Sequence, residues 1–163
     1  MFQKILVALD SSESSRHIFE KALDLAKTNQ AELMLLHVLS PTDEAYPMPI
    51  YPSFDGIYPI QHDELMRSAM QQFAVVEQAG YDKLRSHSLK AEAENVLTHI
   101  TQTTGDPGEL ICSTAKQWSA DLIVIGRRGR SALTELLLGS VSNYVMHHAS
   151  CSVLVVQAAL VSA

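Results

Sequence analysis

Four short stretches in which almost every residue is apolar, at 5–9, 31–39, 121–125 and 152–156, restrict this chain more than any other feature. A strand with one face in water alternates apolar and polar residues. An unbroken apolar run of this length is expected where both faces of a sheet are covered. A weaker strand pattern at about 95–101 supplies a fifth member.

Helical patterns separate these runs. Asp10-Ser11-Ser12-Glu13 reads as a capping box, with Ile18, Ala22, Leu25 and Ala26 continuing at helical spacing. A long helix is expected from Asp63, with Leu65, Ala69, Phe73, Val76 and Leu84 on one stripe. In Gly105-Asp106-Pro107-Gly108-Glu109, Asp106 is the expected N-cap, Pro107 the first helical residue and Glu109 the box partner. That helix continues through Leu110, Ile111, Ala115 and Trp118. A turn rich in Gly and Arg and an apolar helical stretch lead to the last strand.

Strands alternating with helices predict an α/β fold: a doubly wound, five-stranded parallel sheet with helices on both faces. In such sheets the ligand crevice lies at the carboxyl ends of the strands, where the winding direction reverses. The turns after strand one, at Asp10, and after strand four, at Gly126, are therefore the candidate site. The length of 163 residues suits one domain, 1–163. Residues 40–62 stand apart: they hold five of the six prolines and three of the five tyrosines, as in an inserted lid, a binding loop or a disordered arm.

A formal charge of −6 argues against extended polyanions, so neither nucleic acid nor an anionic membrane is an expected partner. The apolar run before Asp10 is too short for a signal-peptide core, and no stretch approaches the ~18 apolar residues of a membrane span. Cys112 and Cys151 fit no CxxC or zinc spacing. Together these predict a cytoplasmic protein with reduced thiols.

The acidic average conceals one basic turn. Strand four is followed by Gly126-Arg127-Arg128-Gly129, nine residues, and Gly139-Ser140-Val141-Ser142. Two glycines three apart allow unusual backbone and leave N–H groups open to an anion. A helix beginning at Ser140 would add free N–H groups and the positive end of its dipole. Arg127, Arg128 and Arg130 bring guanidinium donors suited to phosphate. The same glycines would equally serve a tight turn and a close helix contact, and both readings stand on this pattern alone.

The ordered motifs of the chain resemble the universal stress protein family. Gly126-x2-Gly129-x9-Gly139-Ser140 is similar to that family's nucleotide-binding signature. The resemblance extends through Lys4-Ile5-Leu6-Val7-Ala8-Leu9-Asp10, Leu35-Leu36-His37-Val38, Gly105-Asp106-Pro107 and Ala120-Asp121-Leu122-Ile123-Val124-Ile125-Gly126. It continues in Leu136-Leu137-Leu138-Gly139-Ser140-Val141-Ser142 and Cys151-Ser152-Val153-Leu154-Val155-Val156. It implies strand order 3-2-1-4-5 and the ATP-binding branch of the family.

Position by position, the resemblance implies that Ala8 and Val38 line an adenine pocket. Asp10 would stand near the ribose and phosphates or a bound Mg²⁺. Gly126, Gly129, Gly139, Ser140 and Ser142 would hold the phosphates of ATP or ADP, with Val141 against them. Arg128 matches the family pattern and Arg127 departs from it. The resemblance further implies a homodimer through the last strand, around Val153, Leu154, Val155 and Val156, whose apolar edge would otherwise be exposed.

Other chemistries find little support. Ser113-x-x-Lys116 sits inside a predicted helix without its partner motifs. His147 and His148 suit a helix C-terminus, and His37 is expected as a hydrogen-bonded core residue. No Walker A sequence occurs, and the turn after strand one lacks the glycines of a dinucleotide site. The expectation is a nucleotide-responsive stress or signalling module. The alternatives are a constitutive homodimeric interaction protein with a vestigial site, or a slow ATPase working by hydrolysis or autophosphorylation.

Overall fold

Ile5, Leu6 and Val7 are all buried because the strand that carries them is covered on both sides. Ile5 and Val7 join one core, with Phe19 and Leu84, while Leu6 joins a second, with Ile111 and Val145. In a computed structural model, which describes residues 1–40, 60–127 and 138–157, this strand lies at the centre of the sheet. The elements follow in the order β1 (Lys4–Ala8), α1 (Ser14–Asn29), β2 (Glu32–Leu39), α2 (Ile60–Ala93) and β3 (Thr98–Thr104). Then come α3 (Pro107–Trp118), β4 (Leu122–Gly126), α4 (Ser140–His148) and β5 (Ser152–Val156).

The five strands are parallel in the order β3-β2-β1-β4-β5, as expected. Helices α1 and α2 cover one face and α3 and α4 the other. The edge strands read differently from the central ones. In β3, with the sequence Thr-His-Ile-Thr-Gln-Thr-Thr, no residue is fully buried, and β5 buries only Val156.

Local signals place some helix ends and not others. At α3 the Asp106 carboxylate accepts from the Glu109 N–H at 2.9 Å, Pro107 opens the helix, and Gly105 precedes it at φ 150°. The capping box expected at Asp10 is not formed. Helix α1 begins at Ser14, and Glu13 occupies the cap position without a side-chain bond. Donors on Ser12 and Ser15 take the Asp10 carboxylate instead. Helix α2 starts at Ile60, so residues 60–62 of the expected 40–62 insertion are helical, while residues 41–59 lie outside the described residues.

Helix α2 comes close to the sheet at Gly80. A Cβ built there would lie 2.6 Å from His37 Nδ1 and 2.5 Å from Gln102 Oε1. Those two atoms are hydrogen-bonded at 2.9 Å, and Gln102 Nε2 donates to the Glu77 carbonyl at 2.8 Å. With the Gln102 amide nitrogen donating, its oxygen accepts, so His37 carries its proton on Nδ1. His37, 7% exposed, is the satisfied core histidine expected of it.

His87 is less satisfied. Its ring stacks on Phe19 with centroids 4.3 Å apart, and its Nε2 is buried with no hydrogen-bond partner among the described residues. Burial, and then the charges of Lys83 and Lys90, push its pKa below the ordinary 6.5; Glu20 opposes them and Arg16 adds to them. The native ring thus resists a proton that the unfolded chain accepts. Stability should therefore decline as pH falls below about 6.5, until the native ring is protonated too. His87→Phe keeps the stack and removes the titration. Urea unfolding at about pH 7.5 and about pH 5.5 should show a smaller acid loss in the variant. An equal loss in both proteins would refute the assignment to His87.

Candidate functional site

The parallel register brings all the strand ends to one edge of the sheet. Ala8 aligns with Leu36 on one side and Ile125 on the other, and Gly126 aligns with Val156. Chain winding reverses between β1 and β4. That places the crevice between the turn after β1 and the turn after β4.

The first wall is the turn at Asp10. Its Oδ1 accepts from the Ser12 N–H at 3.0 Å, from the Ser12 hydroxyl, and from the Ser15 hydroxyl at 2.6 Å. The Asp10 N–H donates to Ser15 Oγ at 3.1 Å. One carboxylate oxygen is thus fully engaged in shaping the turn. Its Oδ2 has no hydrogen-bond partner among the described residues and remains available to a ligand. From the α2 layer, Lys83 Nζ donates to the carbonyls of Asp10 at 3.2 Å and Ser12 at 2.9 Å.

The second wall joins β4 to α4. Arg127 acts there through its main chain: its N–H donates to the Val156 carbonyl at 2.8 Å, and its carbonyl accepts from the Gly139 N–H at 2.9 Å. The Ser142 hydroxyl lies 2.9 Å from both the Arg127 and Gly139 carbonyls. Gly126 and Gly139, far apart in sequence, are thereby tied to the same corner. Gly139 has φ −62° and ψ 154°, which any residue can adopt, so its dihedrals do not require glycine. Arg128, Gly129 and Arg130 lie outside the described residues.

Helix α4 starts at Ser140, as the motif predicts. The N–H groups of Ser140, Val141 and Ser142 open the helix and have no acceptor within it. No acidic side chain occupies this first turn to neutralise the dipole. Ser142 is 2% exposed and its hydroxyl is bound to the Arg127 and Gly139 carbonyls, so its side chain is committed to shaping this corner. Ala8, Val38 and Val141 are half-buried and pack against the same core, on the α3/α4 side. Their exposed parts give that side of the edge an apolar lining.

Cys112 and Cys151 are free and half-buried, and burial pushes both thiols up, away from reactive thiolate. His148 Nδ1 bonds the Tyr144 carbonyl at 2.8 Å near the end of α4. No group of three or more His, Cys, Asp or Glu among the described residues could hold a metal by itself. Sequence reasoning missed Lys83 and the main chain of Arg127. Nothing local marks either, since Lys83 meets its partners across about seventy residues.

The molecule is a doubly wound α/β protein of the class that binds small ligands at the carboxyl edge of its sheet, here beside an open helix N-terminus. A model of the universal stress protein family matches residues 1–157, and the chain belongs to that family. It is 36% identical over 156 residues to universal stress protein Sll1388 of a Synechocystis strain, covering 96% of this chain and 98% of the relative. It is 37% identical over 160 residues to universal stress protein YxiE of Bacillus subtilis, covering 96% and 100%. A solved universal stress protein in complex with cAMP shares the fold with a TM-score of 0.63 at 25% identity, over 96% of this chain and 98% of that one. No helix among the described residues is long and apolar enough to cross a membrane.

Proposed function

We propose that this chain is an ATP-binding stress or signalling module, with residues 1–163 forming one such domain in the cytoplasm. What supports the reading is the N-terminus of α4, whose first N–H groups have no acceptor within the helix, following β4 beside the point where the winding reverses. The cAMP complex of a protein with this fold supports adenine as the base. Ala8 and Val38 would take the adenine. Gly126, Arg128, Gly129, Gly139, Ser140, Val141 and Ser142 would surround the phosphates. Asp10, with Oδ2 unengaged, suits the ribose or a Mg²⁺ ion that also binds phosphate oxygens and water.

Binding is the favoured activity over turnover. Phosphoryl transfer needs a group that orients the nucleophile, besides phosphate clamps. Asp10 is the evident candidate, and one of its oxygens is already engaged by the serines. The module would act as a homodimer through β5, which among the described residues is an edge strand paired only with β4, with Leu154 38% exposed.

Calorimetric titration tests the reading. Mg-ATP should bind with a Kd well below ~1 mM, and Gly129→Val should weaken it at least about tenfold while far-UV circular dichroism stays unchanged. Wild-type protein that takes up no nucleotide at about millimolar concentration would sink the proposal in favour of a vestigial site.

A further inference from the structure

The turn that carries Asp10 is held from outside the site. Lys83 belongs to α2, whose Leu84 and Ala91 pack in the core shared with α1. The apolar lining at Ala8, Val38 and Val141 belongs to the other core. Yet Lys83 Nζ lies 3.2 Å from the Asp10 carbonyl and 2.9 Å from the Ser12 carbonyl. A single ammonium holding these two carbonyls fixes the planes of the Asp10–Ser11 and Ser12–Glu13 peptides. In a trans peptide the C=O and the following N–H point in opposite directions. Turning the Asp10 and Ser12 carbonyls towards Lys83 therefore turns the N–H groups of Ser11 and Glu13 away from it.

The same turn is braced a second time from within. Ser12 and Ser15 hold Asp10 Oδ1, and the Ser15 N–H donates to the Ser12 carbonyl at 3.3 Å. The Ser12 carbonyl is thus shared by Lys83 and Ser15, and the Asp10 carbonyl by Lys83 and the Ser15 hydroxyl at 2.6 Å. The lysine and the serines act on one set of atoms. Loss of the lysine would leave the Asp10 and Ser12 carbonyls to Ser15 alone among these partners, so the peptides beyond the tie of Leu9 to Leu36 could turn and re-aim the carboxylate.

We propose that Lys83 is a positioning residue for the nucleotide site: by holding the carbonyls of Asp10 and Ser12, it sets the turn in the form that presents Asp10 to the ligand. This rests on the nucleotide reading above. It links affinity at the carboxyl edge to α2, on the face of the sheet away from α3 and α4.

The test compares wild type, Lys83→Met and Lys83→Arg. Methionine keeps most of the apolar stem and removes the donors, whereas arginine keeps donors. In the nucleotide-free protein, the Ser12 and Ser15 amides of Lys83→Met should exchange hydrogen about tenfold faster, with core amides in β1 and β4 unchanged. Its Mg-ATP Kd should rise about tenfold, and Lys83→Arg should restore both quantities to within about threefold of wild type. Unchanged exchange at the two amides, or unchanged affinity, overturns the proposal. So does a uniform acceleration of the core amides, which would mark Lys83 as a general stabiliser. Wild-type protein without nucleotide affinity overturns the underlying reading as well, and is recognised because that failure does not depend on residue 83.

Discussion

Replacing Phe19 with alanine should lower the unfolding free energy by about 3–5 kcal/mol, because it truncates the largest fully buried side chain among the described residues. Phe19 is 0% exposed and sits where α1 and α2 meet over the sheet. Its ring carries the stack with His87, and Lys90 lies 5.9 Å from its centroid. Truncation removes the transfer energy of the ring and opens a cavity between two helices that are each fixed elsewhere. Helix α2 is anchored through Leu84, Ala91 and the Gly80 approach to His37 and Gln102, so it cannot simply collapse into the space. Against a typical total of about 5–15 kcal/mol, the loss would leave a marginal protein. Urea unfolding followed by circular dichroism measures it as a lower midpoint at an unchanged slope. A loss below about 1 kcal/mol would mean the two helices close the gap, contrary to this packing.

Gly108→Ala should cost about 1–3 kcal/mol and weaken nucleotide binding with it. Gly108 is buried in the first turn of α3, where a Cβ would stand 2.7 Å from Tyr144 Cδ1, 2.9 Å from Cγ and 3.1 Å from Cβ. The Tyr144 ring is stacked on His148 with centroids 4.0 Å apart, which leaves it little room to swing aside. Alanine's better helix propensity offsets at most about 1 kcal/mol. Relief therefore requires α4 to move, and α4 carries the N-terminus proposed for the phosphates. In the Tyr144→Ala background the Gly108→Ala penalty should largely vanish. Thermal unfolding of the four proteins in the cycle decides it. Strictly additive losses would show that the two residues do not meet between α3 and α4.

What could be read along the chain was whatever is decided by neighbours in sequence. Asp106, Pro107 and Glu109 specify the start of α3 because the cap is made between residues three apart. The apolar runs specify central strands because burial on both faces demands apolar residues at every position. The β3 expectation at about 95–101 falls short of the observed Thr98–Thr104, since an edge strand of polar residues has no apolar run to mark its limits. Asn95, at φ 62°, belongs to the turn before it. At Asp10 the local pattern misled: the spacing to Glu13 matched a capping box, but Ser12 and Ser15 offered nearer donors.

The family and the strand order thus followed from the amino-acid sequence, because periodicity, caps and chain winding are properties of local order and of its repetition. The tertiary structure alone decided that the Arg127 main chain joins β5 to α4, that Gly80 and Gly108 are sites of close approach, and that Lys83 reaches the turn of Asp10. Each of these depends on distance between residues remote in sequence, which closes only when both layers of helices have packed on the sheet.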